Sequence, residues 1–201
     1  MSRTFYDRIQ QMKENFEKKE SGWKTFWELA RFTIIAIAIV IPIRIFIAQP
    51  FIVSGSSMYP TFENRQYLVV DEISYKLNNP QRDDVVIFRY PNDTKKFFIK
   101  RIIGLPNETV NIKGSDITII NKEHPDGFKL NQPYVKNTSN NNLNFELKND
   151  EYFVMGDNRN ASSDSRSWGA VPRKLLIGKA FLRLFPINKI SIMPGNYKQV
   201  E

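Results

Sequence analysis

A single apolar stretch near the N-terminus constrains the fold more than any other feature of this chain. Residues 32–48 are apolar except for Thr33, Pro42 and Arg44. As a helix, these 17 residues span roughly 25 Å, slightly less than the hydrocarbon core of a bilayer. The stretch therefore predicts a single transmembrane anchor at residues 32–48.

The distribution of basic residues predicts how this anchor is oriented. Seven basic residues precede it, and the first one after Ala48 is Arg65. By the positive-inside rule, residues 1–31 form a cytoplasmic leader and residues 49–201 form an extracytoplasmic domain. We therefore expect a single-pass protein of the cytoplasmic (plasma) membrane, with the lipid bilayer as a partner.

Two alternative interpretations of the apolar stretch stay open. It could be a removable signal peptide, although no small-x-small cleavage site follows it. It could also be a core helix of a soluble protein, although no other long helical pattern is present for it to pack against. The anchor is favoured because both alternatives lack the sequence signal that would support them.

Composition restricts the chemistry that this chain can perform. The 201 residues suffice for one globular domain, and the net charge of +8 is spread over the whole length without a recognition helix. We therefore expect no nucleic-acid partner and attribute the charge to an acidic membrane surface. The chain has no cysteine and one histidine, so we expect neither a metal nor an organic cofactor.

Beyond the anchor, short β-branched and aromatic runs separated by turn residues predict a mostly β domain. The predicted strands are Tyr67–Ile73, Val85–Tyr90, Phe97–Ile103, Thr109–Ile112, Ile117–Ile120, Tyr152–Met155 and Phe181–Leu184. Residues 137–149 are polar and rich in asparagine, which predicts a loop. That loop belongs to a variable insert at about residues 121–150.

Ser57 is a candidate nucleophile. It lies in the run Ser-Gly-Ser-Ser-Met-Tyr-Pro-Thr at residues 54–61, shortly after the apolar stretch. A serine hydroxyl needs a neighbouring base, and the single histidine, His124, lies in a turn-like Glu-His-Pro sequence. Lysine is therefore the available base.

Lys100 is the candidate base because it lies in the strongly apolar strand predicted at residues 97–103. A general-base lysine must be neutral near the working pH, and burial lowers the pKa of a lysine. In a strand, Phe98, Lys100 and Ile102 share one face. Taken alone, a serine in such a run is more often a turn residue than a nucleophile. A lysine in a strand is likewise more often a solvated charge at the sheet edge than a base.

Four motifs that follow one another along the chain favour a catalytic role for both residues. They are Ser-Ser-Met-Tyr-Pro-Thr at 56–61, Asp-Asp-Val-Val-Ile-Phe-Arg-Tyr-Pro at 83–91, Ile-Lys-Arg-Ile-Ile-Gly-Leu-Pro at 99–106, and the stretch from Gly156 to Pro172 that begins Gly-Asp-Asn-Arg. Together they resemble the type I signal peptidase (leader peptidase) family, which are membrane-anchored Ser-Lys endopeptidases. The resemblance runs from about Leu29 to about Pro194.

The resemblance implies a fold and a function. The fold is a signal-peptidase-like β domain with an N-terminal transmembrane helix. The function is that of signal peptidase I, a serine endopeptidase that removes N-terminal signal peptides from secreted preproteins. Cleavage takes place at the outer face of the cytoplasmic membrane, after small residues of the Ala-x-Ala type, and preprotein signal peptides are the partners.

The same resemblance assigns roles to individual residues. Ser57 is the nucleophile, Lys100 the general base and Ser162 the residue that orients the lysine. The oxyanion hole uses the backbone N–H of Ser57 together with Gly55, where some family members carry a serine hydroxyl. The supporting loop contains Asp157 and the ion pair of Asp164 with Arg166. Cleavage after small residues suggests shallow apolar pockets, and the apolar candidates for them, chosen by their position near Ser57 and Lys100, are Phe51, Val53, Met58, Phe62 and Ile99.

Two other functions stay open at this point. One is a specialised Ser-Lys maturation protease that serves a dedicated substrate. The other is a non-catalytic, membrane-tethered β binding module, in which Ser57 is only a turn residue and Lys100 only an edge charge.

Overall fold

The computed structural model describes residues 3–42 and 48–197. The chain divides into two units, Met1–Ile45 and Phe46–Glu201. In the first unit, helix α1 runs from Arg3 to Pro42. Within the described parts of the chain, none of the helices combines the length and the apolar composition that crossing a bilayer requires.

The segment predicted as an anchor is only partly described. Helix α1 ends at Pro42, and Ala48, which was predicted as the last residue of the anchor, is instead the first residue of strand β1. Residues 43–47 lie outside the described residues.

The second unit is mostly β, as predicted. Its strands are β1 (Ala48–Ile52), β2 (Tyr67–Asp71), β3 (Val85–Tyr90), β4 (Asp93–Gly104), β5 (Thr109–Gly114), β6 (Asp116–Ile120), β7 (Phe128–Lys129), β8 (Asn141–Glu146), β9 (Glu151–Met155), β10 (Val171–Pro172), β11 (Leu176–Phe185) and β12 (Ser191–Ile192). Two short helices, α2 (Ile73–Leu77) and α3 (Ser165–Trp168), lie between strands. Short 3₁₀ turns span Arg159–Ala161, Arg173–Leu175 and Ile187–Lys189.

These strands form two antiparallel sheets. The larger one has the order β1-β2-β11-β3-β4-β9-β10, with β12 beside β11, and the smaller one has the order β7-β6-β5-β8. Alternate residues of β5 and β6, Val110, Ile112, Ile117 and Ile119, are buried and pack with Phe153 of β9. Strand β4 is central in the larger sheet, and this places Lys100 between β3 and β9.

Two local predictions differ from the structure. The strand predicted at Tyr67–Ile73 ends at Asp71, whose carboxylate accepts a hydrogen bond from the Ser74 N–H in the first turn of α2. The loop predicted at residues 137–149 contains strand β8 instead. In β8, Leu143 and Phe145 pack against the core while Asn142 and Asn144 face outward.

Candidate active site

A groove of about 500 Å³ contains both candidate residues, Ser57 and Lys100. Residues 51–57 line one part of it, and residues 96–100 of strand β4 line another. The rings of Phe51 and Phe97, from strands β1 and β4, lie 5.5 Å apart. The groove thus combines a serine and a lysine with largely apolar walls.

Lys100 and Ser57 are in direct contact. Lys100 Nζ donates hydrogen bonds to Ser57 Oγ at 2.8 Å and to the Ile99 carbonyl at 3.0 Å. The lysine is only 4% exposed, and its ammonium lies 5.2 Å from the centre of the Phe98 ring. Burial lowers the pKa of Lys100 to about 8, although the nearby carboxylates of Asp164 and Asp157 raise it in part.

The loop that carries Ser57 is bound to the segment after β9. Asn158 donates through its backbone N–H to the Ser57 carbonyl at 3.0 Å and through its side chain to the Ser56 carbonyl at 3.2 Å. A side chain at Gly156 would overlap the Ser57 carbonyl and the Ser162 hydroxyl. This close approach requires glycine there, and it places Ser162 beside the nucleophile loop.

A buried ion pair connects this segment to strand β4. Arg101 Nε and Nη2 donate to the two carboxylate oxygens of Asp157 at 2.9 and 2.6 Å, and both side chains are 0% exposed. Thr61 Oγ1 also donates to Asp157, at 2.6 Å. Because Lys100 precedes Arg101 and Asn158 follows Asp157, the pair holds the strand of the lysine against the loop of the serine.

Two of the predicted supporting residues, Asp164 and Arg166, form an ion pair. Arg166 Nε and Nη2 each donate to the carboxylate of Asp164 at 2.8 Å. Asp164 also accepts from the backbone N–H of Gly156 at 3.0 Å. The pair therefore stabilises the segment that carries Ser162.

Ser162 and Gly55 do not make the contacts that their predicted roles require. The Ser162 hydroxyl is buried and has no hydrogen-bond partner among the described residues, Lys100 included. The Gly55 N–H already donates to the side chain of Asn64 at 3.0 Å, so it is not free to bind an oxyanion. The Ser57 N–H donates to no group within residues 3–42 and 48–197, which leaves it available.

The structure divides the predicted pocket residues into two groups. Phe51, Val53 and Ile99 line the groove. Met58 and Phe62 do not line it; they are 1% and 0% exposed and pack in the core with Val70. The groove is also lined by residues that the sequence analysis did not predict, namely Leu68, Ile87, Phe97, Phe98 and Ala161. Phe97 and Phe98 belong to the same apolar strand as Lys100, and that proximity was the signal that could have identified them.

In the parts of the chain that the structure describes, no group of three or more histidine, cysteine, aspartate or glutamate side chains is arranged to hold a metal ion. The chemistry that the site offers is that of a buried lysine next to a serine hydroxyl. That pairing fits nucleophilic attack on a carbonyl carbon, with the amine as the proton acceptor.

Comparisons with known proteins identify the family of this chain. The family described as "Signal peptidase, peptidase S26" matches residues 26–185. A probable signal peptidase I-2 from Synechocystis is 35% identical over 189 residues, covering 90% of this chain and 84% of the relative. A signal peptidase I from Leptolyngbya laminosa is 36% identical over 166 residues, covering 78% of each chain.

A signal peptidase I from Bacillus amyloliquefaciens is 34% identical over 188 residues, covering 87% of this chain and 92% of the relative. In all three relatives the similarity extends over most of both chains. The chain belongs to the signal peptidase family, peptidase S26, and functions as a signal peptidase of type I.

Proposed function

We propose that Ser57 and Lys100 form a catalytic dyad that removes signal peptides from secreted preproteins. The observation that carries this proposal is the 2.8 Å separation of Lys100 Nζ from Ser57 Oγ, at a lysine that burial drives toward the neutral form. The two carboxylates that act on the pKa of Lys100, Asp157 and Asp164, are each engaged by an arginine, which leaves the lysine as the base next to Ser57 among the described residues.

The proposed reaction proceeds through an acyl-enzyme. Neutral Lys100 accepts the hydroxyl proton while Ser57 Oγ attacks the carbonyl carbon of the scissile peptide bond. The peptide C–N bond then breaks, and Lys100 returns the proton to the leaving amine. Water, deprotonated by the same lysine, attacks the serine ester, and Lys100 then returns that proton to Ser57 Oγ as the signal peptide leaves. The Ser57 N–H is available to stabilise the oxyanion.

The shape of the groove supports the proposed substrate class. An extended peptide fits between the segment of Phe51 and Val53 and strand β4, where backbone groups can add it as a further strand. The apolar walls and the close Phe51 and Phe97 rings favour small side chains near Ser57, as in an Ala-x-Ala site. The buried Ser162 hydroxyl beside Gly156 is suited to orient Lys100 once substrate excludes water.

The membrane location is part of the same proposal. It rests on the sequence alone, namely the apolar stretch at residues 32–48 and the seven basic residues before it. The catalytic unit would then meet preproteins at the outer face of the cytoplasmic membrane.

A cleavage assay tests the proposed dyad and substrate together. The full chain in a neutral detergent is incubated with several unrelated preproteins that carry Ala-x-Ala sites, and mass spectrometry maps the products. We expect one cut after each site with the native enzyme and none with Ser57→Ala. The control Ser115→Ala changes an exposed serine in the turn between β5 and β6 and should cut normally. Cleavage by the Ser57→Ala variant would exclude Ser57 as the nucleophile.

The rate of cleavage should depend on pH in a way that reports Lys100. Only the neutral amine can act as base, and with a pKa of about 8 it is about one-tenth neutral at pH 7. We therefore expect kcat/KM to rise about tenfold per pH unit below pH 8 and to level off above it. The measurement is a kcat/KM profile from pH 6 to 10, with circular dichroism to verify folding. A profile that is flat from pH 6 to 9 would argue against lysine as the base.

A further inference from the structure

A second cavity, of about 290 Å³, lies in the same unit and shares only Phe97 with the lining of the catalytic groove. Its lining combines three basic side chains, those of Lys76, Arg89 and Arg173, with three apolar ones, those of Phe97, Leu176 and Ile177. Glu72 is the one acid among the lining residues, so three cations and one acid leave a formal charge of +2. A ligand that matches this lining combines an anionic group with an apolar part.

The cavity lies at one particular end of the larger sheet. Ala48 pairs with Asp71, and Asp71 pairs with Lys179 on β11. At the same end of the neighbouring strands, Arg89 of β3 pairs with Phe97 of β4. Because β1 begins at Ala48, this is the end of the sheet that the chain reaches first after the apolar stretch.

Two arginines in the cavity are positioned without a carboxylate partner. Arg89 donates to the Thr94 carbonyl at 3.0 Å, and its guanidinium lies 4.8 Å from the centre of the Phe97 ring. Arg173 donates to the Tyr75 carbonyl. Among the described residues, neither arginine forms an ion pair. Each therefore keeps N–H donors in the fork geometry that suits a phosphate group.

Glu72 adds a requirement for a hydrogen-bond donor. One of its carboxylate oxygens is buried and has no hydrogen-bond partner within the described residues. Burial raises the pKa of Glu72, an effect that Lys76 opposes. Buried polar atoms are rarely left unpaired, so a ligand hydroxyl next to the phosphate would satisfy this oxygen.

We propose that this cavity binds the phosphate of a membrane phospholipid headgroup, with Arg89 and Arg173 on the phosphate and the apolar side chains against the adjoining carbons. The inference rests on the proposed membrane attachment, which makes phospholipid headgroups available to the protein. A free phosphate shares the charge but lacks the apolar body, so it leaves the apolar side chains of the lining without a contact.

A titration of the full chain in neutral detergent tests this site. The probe is dioctanoylphosphatidylglycerol, which carries a phosphate, hydroxyls and short acyl chains, and calorimetry measures its binding. The variant Lys76→Gln/Arg89→Gln leaves Arg173 to hold Tyr75 and should bind about 30-fold more weakly, since each cation near an anionic lipid contributes about fivefold. The control Lys113→Gln/Lys122→Gln removes the same charge from exposed positions on and beside the smaller sheet and should bind within about twofold of native.

Saturable binding that is lost in the first variant and kept in the control would support the site. Equal weakening in both variants would overturn it, because that result reports general surface charge. If inorganic phosphate binds as tightly as dioctanoylphosphatidylglycerol, the site does not require a lipid, and the proposal that it binds a phospholipid is overturned. Preprotein cleavage by the native chain in the same detergent separates the two proposals: cleavage without lipid binding overturns only the lipid site, whereas absent cleavage overturns the proposed function.

Discussion

Replacing Lys100 with methionine is expected to lower kcat/KM for preprotein cleavage by at least about 1,000-fold. Methionine fills a similar volume but has no atom that can accept the hydroxyl proton of Ser57. The loss should appear mainly in kcat, because the ammonium contacts Ser57 Oγ and the Ile99 carbonyl and supplies the base for the chemical step.

The same substitution should not destabilise the fold. Burial lowers the pKa of Lys100 from 10.5 to about 8. Below pH 8 the lysine is charged in both the folded and the unfolded chain, so folding bears the full cost of the buried charge, about 3 kcal/mol. That cost falls as the pH rises from 8 to 10.5. Methionine carries no charge, so the variant does not bear this cost of burial. The loss of two hydrogen bonds, at about 1 kcal/mol each, offsets most of the resulting gain in the free energy of unfolding.

Urea unfolding at pH 7, measured alongside cleavage, separates the catalytic effect from the structural one. We expect the Lys100→Met variant to have a free energy of unfolding equal to or above that of the native chain. Lys95→Met is the matched control, since Lys95 is an exposed residue of the same strand. It should retain both activity and stability. A Lys100→Met enzyme that cleaves at more than a tenth of the native rate would contradict the proposed dyad.

The local environment of Lys100 could be predicted from the sequence because it depends on local periodicity. Alternation along β4 places Phe98 and Ile102 on one face and Ile99 on the other, and the two faces pack in different core clusters. Strand β3, whose first four residues are a continuous apolar run, begins and ends at the predicted residues Val85 and Tyr90. A short strand that is buried on both faces gives the clearest signal of this kind.

Strand β8 could not be predicted in the same way. Four of its six residues are polar, and asparagine is uncommon in strands. Its two apolar residues, Leu143 and Phe145, gain their packing from β5 and the core beneath it. The strand therefore forms because of a partner that is more than 30 residues away in the chain, and a local pattern does not contain that information.

Contacts between residues distant in the chain also explain why parts of the site were predicted incorrectly from the sequence. Periodicity indicated that Arg101 faces away from Lys100, but it could not identify Asp157, 56 residues further along, as its partner. Met58 and Phe62 were assigned to the pocket because they are apolar and follow Ser57. The chain turns back after Ser57, where the Phe62 N–H donates to the Met58 carbonyl, and this turn buries both side chains in the core instead.

Replacing Asp157 with alanine is expected to lower the free energy of unfolding by about 3–5 kcal/mol, because it leaves Arg101 charged and buried without its counterion. Arg101 has no route to water, since it is 0% exposed and its Nη1 already donates to the Asp83 and Gly195 carbonyls. The Thr61 hydroxyl also loses its acceptor. The expected cost is a large fraction of the stability of a typical domain.

The Asp157→Ala substitution should also lower the rate of catalysis in the molecules that remain folded. Asp157 connects strand β4, through Arg101, to Asn158, which holds the Ser57 carbonyl. Without that connection the serine loop is free to shift relative to Lys100, and a displacement of about 1 Å can cost about 100-fold in rate. We therefore expect kcat to fall even at low temperature, where the variant is still folded, while KM changes little.

Asp116→Ala provides the matched comparison for this prediction. Asp116 pairs with Lys129 at 2.7 Å, but the two side chains are 57% and 63% exposed, so losing the pair should cost less than about 1 kcal/mol. Urea unfolding of both variants, followed by cleavage assays at 10 °C, measures the two effects separately. If Asp157→Ala unfolds at the same urea concentration as Asp116→Ala, then the buried pair does not hold the lysine strand and the serine loop together, and the close approach at Gly156 must do so.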